Sequence, residues 1–234
     1  MITLVIGIVR ITLNQMYLFL MTMGMCFITL PPPPDFNGHD YVDLGLPSGT
    51  LWATMNVGAS KPSDVGFYFQ WGDTVGYTKE QVGTDEGKKK FASDWSDYKW
   101  GVNPNFTKYT APSAKLELED DAAHVHMGGD WHMPTPDQIR ELIYNTTYKS
   151  AAQNGVNGNL VSSKKDASKS IFIPAAGKAW DGTVINSGSR SCTWSSMLNT
   201  GNVKEVETLD LDMWIISYSS DYRFCGLSVR GVIG

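Results

Sequence analysis

Charge is scarce in this chain, and basic charge scarcer still. Of 234 residues, 18% are Asp, Glu, Lys or Arg, with 19 basic against 24 acidic and a formal net charge of -5. A nucleic-acid binder draws much of its affinity from Lys and Arg neutralising phosphates, so this balance argues against that class. Cysteine is nearly absent, present only as Cys26, Cys192 and Cys225. No CxxC pair occurs, and an odd count is not a disulfide framework. Cys192 and Cys225 either meet in the fold and pair, or stay free thiols. Glycine periodicity, heptads and repeated apolar spans are missing, which excludes collagen, coiled coil and multi-span membrane protein. So are GxSxG, a Ser-His-Asp motif context and a phosphate loop.

Apolar residues, by contrast, make up 42%, enough for a real core, and the mass of 25.8 kDa suits one domain of ordinary size, or one domain plus a tail. Aromatics are 12%, with 8 Trp. Gly, Ser and Asn accompany them through the second half. That mixture belongs to loop-rich folds and to recognition surfaces, where rigid rings anchor and small polar residues adapt.

Residues 1–30 stand apart. They are almost wholly apolar, with Arg10 the only charge before Asp35. Residues 16–30 have the length of a signal h-region and are short for a membrane span of about 20 residues. Cys26 follows Met23-Gly24-Met25 in a loose likeness of a lipoprotein cleavage box. The segment is expected to be a signal, a lipoprotein signal lipidated at Cys26, or an anchor giving membrane attachment. The alternative is an N-terminal core strand pair or a mis-assigned start. Residues 31–38 form a Pro-rich spacer, and residues 39–234 a single domain with a polar insertion at 78–118. Trp95, Tyr98 and Trp100 are the insertion's expected aromatic anchors, and Lys88-Lys89-Lys90 its solvated run.

Thr135-Pro136-Asp137-Gln138 predicts a helix start: Thr135 caps, Pro136 suits the first turn, and Gln138 completes a capping box. Ile139, Leu142 and Ile143 then share one face. A shorter helix is expected over 120–127, stopped by Gly128-Gly129. Short strands are expected at 170–174, 207–211, 214–218 and 227–232. The sum is α+β: two helices around short antiparallel strands with long irregular loops.

Six blocks, in order, resemble one family. They are residues 39–54 (HDYVDLGLPSGTLWAT), Phe67-Tyr68-Phe69-Gln70-Trp71-Gly72, Asp121-Ala122-Ala123 with Gly128-Gly129-Asp130-Trp131-His132-Met133-Pro134-Thr135, Phe172-Ile173-Pro174-Ala175-Ala176-Gly177, Trp194-Ser195-Ser196, and Gly226-Leu227-Ser228-Val229-Arg230. Together they are similar to the Fibrobacter succinogenes major paralogous domain of Bacteroidales-type bacteria. His132, Thr193 and Gly231 depart from the family's usual Arg, Tyr and Pro. The resemblance implies a C-type-lectin-like fold of the formylglycine-generating-enzyme type. Members of that branch are variable proteins of diversity-generating retroelements, which vary side chains near the C-terminus on one ligand-binding face.

Carried onto this chain, the resemblance implies a display face built from Cys192, Thr193, Trp214, Ser217, Tyr218, Ser219, Asp221, Tyr222, Phe224 and Cys225, with Leu209 and Leu211 as scaffold. The alternative is a C-terminal hairpin whose rings pack inward. Trp52, Trp71, Trp131 and Trp194 are expected in the core, and Arg230 as a buried structural residue held by a carboxylate or carbonyls. The expected function is non-enzymatic recognition of a protein or glycan, at a cell surface, outer membrane or phage virion, or as a secreted adhesin. A cell-envelope lipoprotein or surface-assembly subunit is the second reading.

The third is a copper-dependent oxidase like the formylglycine-generating relatives, which need two closely spaced cysteines. Cys192 and Cys225 are far apart in sequence and outside any matching motif. No cofactor or metal is expected. His124 and His126, with His132 or Asp130, are the nearest approach to a metal set, and Asp120, Asp121 and Asp130 to a calcium set.

Overall fold

The computed structural model describes residues 34–212 and 214–234. The expectations for residues 1–30, Cys26 included, lie outside the described residues.

The chain runs β1 (Tyr41–Asp43), β2 (Leu51–Asn56), α1 (Lys79–Val82), α2 (Asp85–Lys90), β3 (Gly101–Val102), β4 (Asn105–Phe106) and a 3-10 turn at Leu118–Asp120. It continues with α3 (Ala122–Met127), α4 (Pro136–Asn145), β5 (Thr146–Gln153), β6 (Val156–Ser163), β7 (Ser170–Pro174), β8 (Lys178–Trp180) and β9 (Thr183–Ile185). Last come β10 (Ser191–Leu198), β11 (Glu205–Leu211), β12 (Ile216–Tyr222) and β13 (Arg230–Ile233). The result is mixed: short helices among small, mostly antiparallel sheets, compatible with α+β.

Three three-stranded sheets carry the architecture, ordered β1-β2-β13, β5-β6-β7 and β10-β11-β12. The first joins the two ends of the domain, with Val232 opposite Trp52. Helix α4 starts where its capping box predicts: Thr135 Oγ1 accepts from Gln138 N, and Gln138 Oε1 accepts from Thr135 N. Its face of Ile139 and Leu142 packs with Val161, Ile171 and Ile173 of β6 and β7 and with Leu209 and Leu211 of β11. The helix thus backs the β10-β11-β12 sheet. Helix α3 starts two residues later than the sequence suggests, because Asp121 is its cap and accepts from Ala123 N and His124 N.

Trp52, Trp71, Trp131 and Trp194 are all fully buried. Three of their indole N–H groups end on backbone carbonyls: Trp71 on Ser195 O, Trp131 on Phe36 O and Trp194 on Phe69 O. Each bond satisfies a buried donor and ties together segments distant in sequence. Truncating such a ring to Ala costs about 3–5 kcal/mol. Arg230 is buried and bonds Asn56 Oδ1, Ala53 O and Phe172 O, so carbonyl-type oxygens hold it, with no carboxylate among them.

The 78–118 insertion is partly core. Tyr98 and Tyr109 are buried in the same cluster as Trp71 and Trp194, with Trp95 and Trp100 half-buried against it. Arg223, buried at the end of β12, holds the insertion in place. Its Nε donates to Tyr98 Oη, Nη1 to Tyr109 O and Val203 O, and Nη2 to Lys108 O. Its guanidinium lies 4.2 Å from the Phe106 ring centre and 5.4 Å from that of Trp71.

Candidate recognition face

Strands β10, β11 and β12 alternate their side chains between two faces. Thr193, Leu209 and Tyr218 form one cross-strand row, with Leu211 and Ile216 beside it. That face looks at α4. On the other face Cys192, Asp210 and Ser217 form a row, followed by Trp194, Thr208 and Ser219, then Val206 and Asp221.

The polar face is framed by two ion pairs. Arg190 grips Asp210 with two prongs, Nε to Oδ1 at 2.7 Å. Lys178 Nζ reaches Asp221 Oδ2 at 2.7 Å. Burial pulls the Lys178 ammonium down, but its bond to Asp221 outweighs that and holds it above the ordinary lysine range. Ser217, Ser219 and Asp221 are half-buried between these pairs.

At the ends of β12 the apolar side chains open to solvent. Trp214 is 79% exposed, Ile215 55% and Tyr222 41%. The tight turn before β12 is fixed by Asp212, whose Oδ1 accepts from Trp214 N and Ile215 N. Those N–H bonds hold its carboxyl below the usual range.

Four expected face residues are not on the surface. Cys192 (5% exposed), Thr193, Phe224 and Cys225 are buried. Cys192 and Thr193 lie in a strand covered on both sides, since β10 pairs with β11 and Thr193 also bridges Ser228. Phe224 falls inward because the chain turns down after Tyr222. Its ring sits among Trp95 at 4.7 Å, Trp180 at 5.3 Å and Tyr222 at 5.5 Å. Tyr218 is half-buried and committed to α4: its hydroxyl accepts from Arg140 Nη2 at 2.8 Å, and the guanidinium sits 4.3 Å over its ring. Burial, with the Glu207 carboxylate beside it, pushes the phenol up. The surface set is therefore Trp214, Ser217, Ser219, Asp221 and Tyr222, with Tyr218 on the opposite, helix-facing side of β12.

Ile215, Asp210, Arg190 and Lys178 join the face without having been expected there, while Arg140 holds Tyr218 on the opposite side. Alternation around Leu209 and Leu211 already puts Asp210 on the opposite side of β11, so that residue was findable. Nothing local marks Lys178 or Arg140, which arrive from distant parts of the chain.

Both thiols are free. Cys225 Sγ lies 3.2 Å from Asp221 Oδ1, and Cys192 Sγ 3.8 Å from Asp210 Oδ1. Burial raises Cys192 from 9.0 to about 12, and burial with the Asp221 charge pushes Cys225 higher still. Thiols so placed are poor nucleophiles and poor metal ligands at neutral pH.

Neither His124, His126, His132 and Asp130 nor Asp120, Asp121 and Asp130 come together as a ligand set among the described residues. One ring nitrogen of each histidine meets a carbonyl: His124 that of Trp131, His126 that of Thr74 and His132 that of Met133. Asp130 accepts from Asp35 N, and Asp121 caps α3 and accepts from Met133 N. Among the described residues one acidic group, Glu117, Glu119 and Asp120, is close enough to hold a cation. Lys108 Nζ sits in it, at 2.6, 3.3 and 2.6 Å from the three carboxylates. No described helix is long and apolar enough to cross a membrane. Compared with protein families, curated proteins and solved structures, the chain finds no match.

Proposed function

We propose that this chain is a non-enzymatic recognition protein of C-type-lectin-like fold, resembling retroelement-diversified variable proteins. It binds a protein or glycan partner, at a bacterial surface or on a phage particle, through the half-buried Ser217, Ser219 and Asp221 of β12 and the rings at the strand's ends. The observation that carries the reading is the exposure of Trp214 and Ile215 at one end of β12 and of Tyr222 at the other, flanking a strand whose neighbour β11 is buried. Exposed aromatic anchors next to Ser217, Ser219 and Asp221 have the composition of a paratope, and a rigid frame beneath them lowers the entropy lost on binding. The two ion pairs leave the face near neutral, which favours a neutral or mixed-charge ligand over a polyanion.

The test is a paired substitution, Trp214→Ala with Tyr222→Ala, read against printed glycans and intact bacterial cells. Binding of the labelled full chain is expected to fall at least tenfold, about 1.4 kcal/mol, while the melting temperature moves by a few degrees at most. Unchanged binding, or a large loss of stability, refutes the assignment. A second check lies in the neighbouring DNA: a near-copy of the codons for residues 190–230, differing mainly at adenines, beside a reverse-transcriptase gene.

A further inference from the structure

The register of β11 and β12 fixes which backbone groups of β12 are already used. Asp212 N donates to Ile215 O at one end of the pair, and Arg223 N to Lys204 O at the other. Both bonds belong to the register in which Ser217 faces Asp210, Ser219 faces Thr208 and Asp221 faces Val206. Hydrogen-bonded and non-hydrogen-bonded pairs alternate along antiparallel strands. Ser217, Ser219 and Asp221 therefore turn N–H and C=O toward β11, whereas Ile216, Tyr218 and Ser220 turn theirs away. Strand β12 is the outer strand of its sheet, so those outward groups form an open hydrogen-bonding edge.

Natural sheets blunt such edges with Lys, Pro or a bulge. Of the other long edge strands, β5 carries Lys149 midway, and β10 is covered by bridges to Lys115, Gly177 and Ser228. Strand β12, ISYSSDY, has no Lys, Arg or Pro, and its pairing with β11 shows no register shift.

We propose that β12 pairs with β12 of a second copy of this chain, antiparallel about a two-fold axis at Tyr218. In that register Ile216 meets Ser220, and Tyr218 meets its own counterpart. Each of these pairs opposes outward-facing groups on both sides and so exchanges two backbone bonds. A one-residue slip would oppose outward groups to inward ones. A two-residue slip either way would leave one outward residue unmatched. The same register carries the flanks together: Trp214 comes opposite Tyr222 of the second copy, joining the two exposed rings. Charge fits as well, because Asp221, the strand's one charged residue, comes opposite Ile215 and not its own copy.

Two three-stranded sheets then become one, with Ser217, Ser219 and Asp221 of both copies on a common surface. The pairing rests on strand register and holds whether or not the ligand reading does. If that reading also holds, a paired face gains avidity without any new ligand contact. A single strand pair is smaller than the interfaces of stable dimers, so the association is concentration-dependent.

Sedimentation velocity on the full chain over a concentration series tests this. A monomer–dimer equilibrium is expected. Ser220→Pro removes an outward N–H and spares the β11 ladder, so it should weaken the dimer at least tenfold with the fold retained. Ser220→Ala loses the Ser220 Oγ bond to Glu205 but keeps the N–H, and should dimerise as before. Synthetic peptides of residues 214–222 give the same reading on the unaltered protein. One N-methylated at 217 and 219 should dissociate the dimer, and one N-methylated at 216, 218 and 220 should not. A monomer at every concentration, a dimer indifferent to Ser220→Pro, or equal competition by both peptides overturns the proposal.

Discussion

Arg223 is the residue whose neighbours say least about its role. In sequence it stands between Tyr222 and Phe224, in the middle of the stretch read as a binding loop. In the fold it is buried, and its three nitrogens serve four oxygens on the 78–118 insertion and on Val203. Taking a guanidinium out of water costs several kcal/mol, and hydrogen bonds from a charged donor return about 1.5–3 kcal/mol each. Four such bonds are enough to offset the desolvation. Lysine has the charge but not the fork, so Arg223→Lys would leave buried oxygens unmet. It is expected to cost about 3 kcal/mol or more, read as a lower urea midpoint. A change under 1 kcal/mol would mean that the insertion is held by its aromatic rings alone. The tryptophans were easier to read. Large rings among Gly and small residues have few places to go but inward, and Trp52, Trp71, Trp131 and Trp194 went there. Phe224 has the same chemistry as a display ring, and only the turn after β12 decides otherwise.

Elements were legible where a local signal closes on itself. The start of α4 is such a case, because Thr135 and Gln138 satisfy each other within one turn. The β5–β6 hairpin is the opposite case. It is the longest pairing in the fold, in register from Thr146–Ser163 to Gln153–Val156, yet no strand was expected there. Its sequence is small and polar, with none of the β-branched density that marks a strand. The usable signal was Asn154-Gly155, whose φ angles of 51 and 79 suit a two-residue hairpin turn. A Cβ on Gly155 would meet nothing within 4 Å, so any cost of Gly155→Ala is purely conformational. That cost should be about 1 kcal/mol, seen as a small drop in melting temperature with the recognition face unaffected. A neutral result would show that the turn is not held left-handed in solution. Boundaries in the third sheet drifted for a related reason: β12 begins at Ile216 and not 214, since Asp212 spends Trp214 and Ile215 on a turn.

At the scale of the whole molecule, the proposed recognition face and the core share the same strands. The face stays rigid because what lies beneath it is dry, and dryness has a consequence for acids that hold their protons. Burial lifts Cys192, Tyr77 and Tyr109 to about 12, and moves Tyr68, Tyr98, Tyr218 and Cys225 upward as well. The unfolded chain releases these protons first, cysteine from about pH 9 and tyrosine from about pH 10. Across that window the unfolded state binds fewer protons than the folded one, so stability falls as pH rises. Below pH 9 the contribution is complete. For Cys192 alone, moving from 9.0 to about 12, the loss approaches about 4 kcal/mol, a large part of a typical domain's net stability. Because cysteine titrates before tyrosine, the first losses arise under β10 and β12, at the proposed recognition face. Urea midpoints at pH 7, 9 and 10.5 should therefore decline from just above pH 9, and Cys192→Ser should flatten the early part of that decline. A level profile up to pH 11, or an unchanged slope in the serine variant, would mean that water reaches this sulfur and that the framework under the face is not dry.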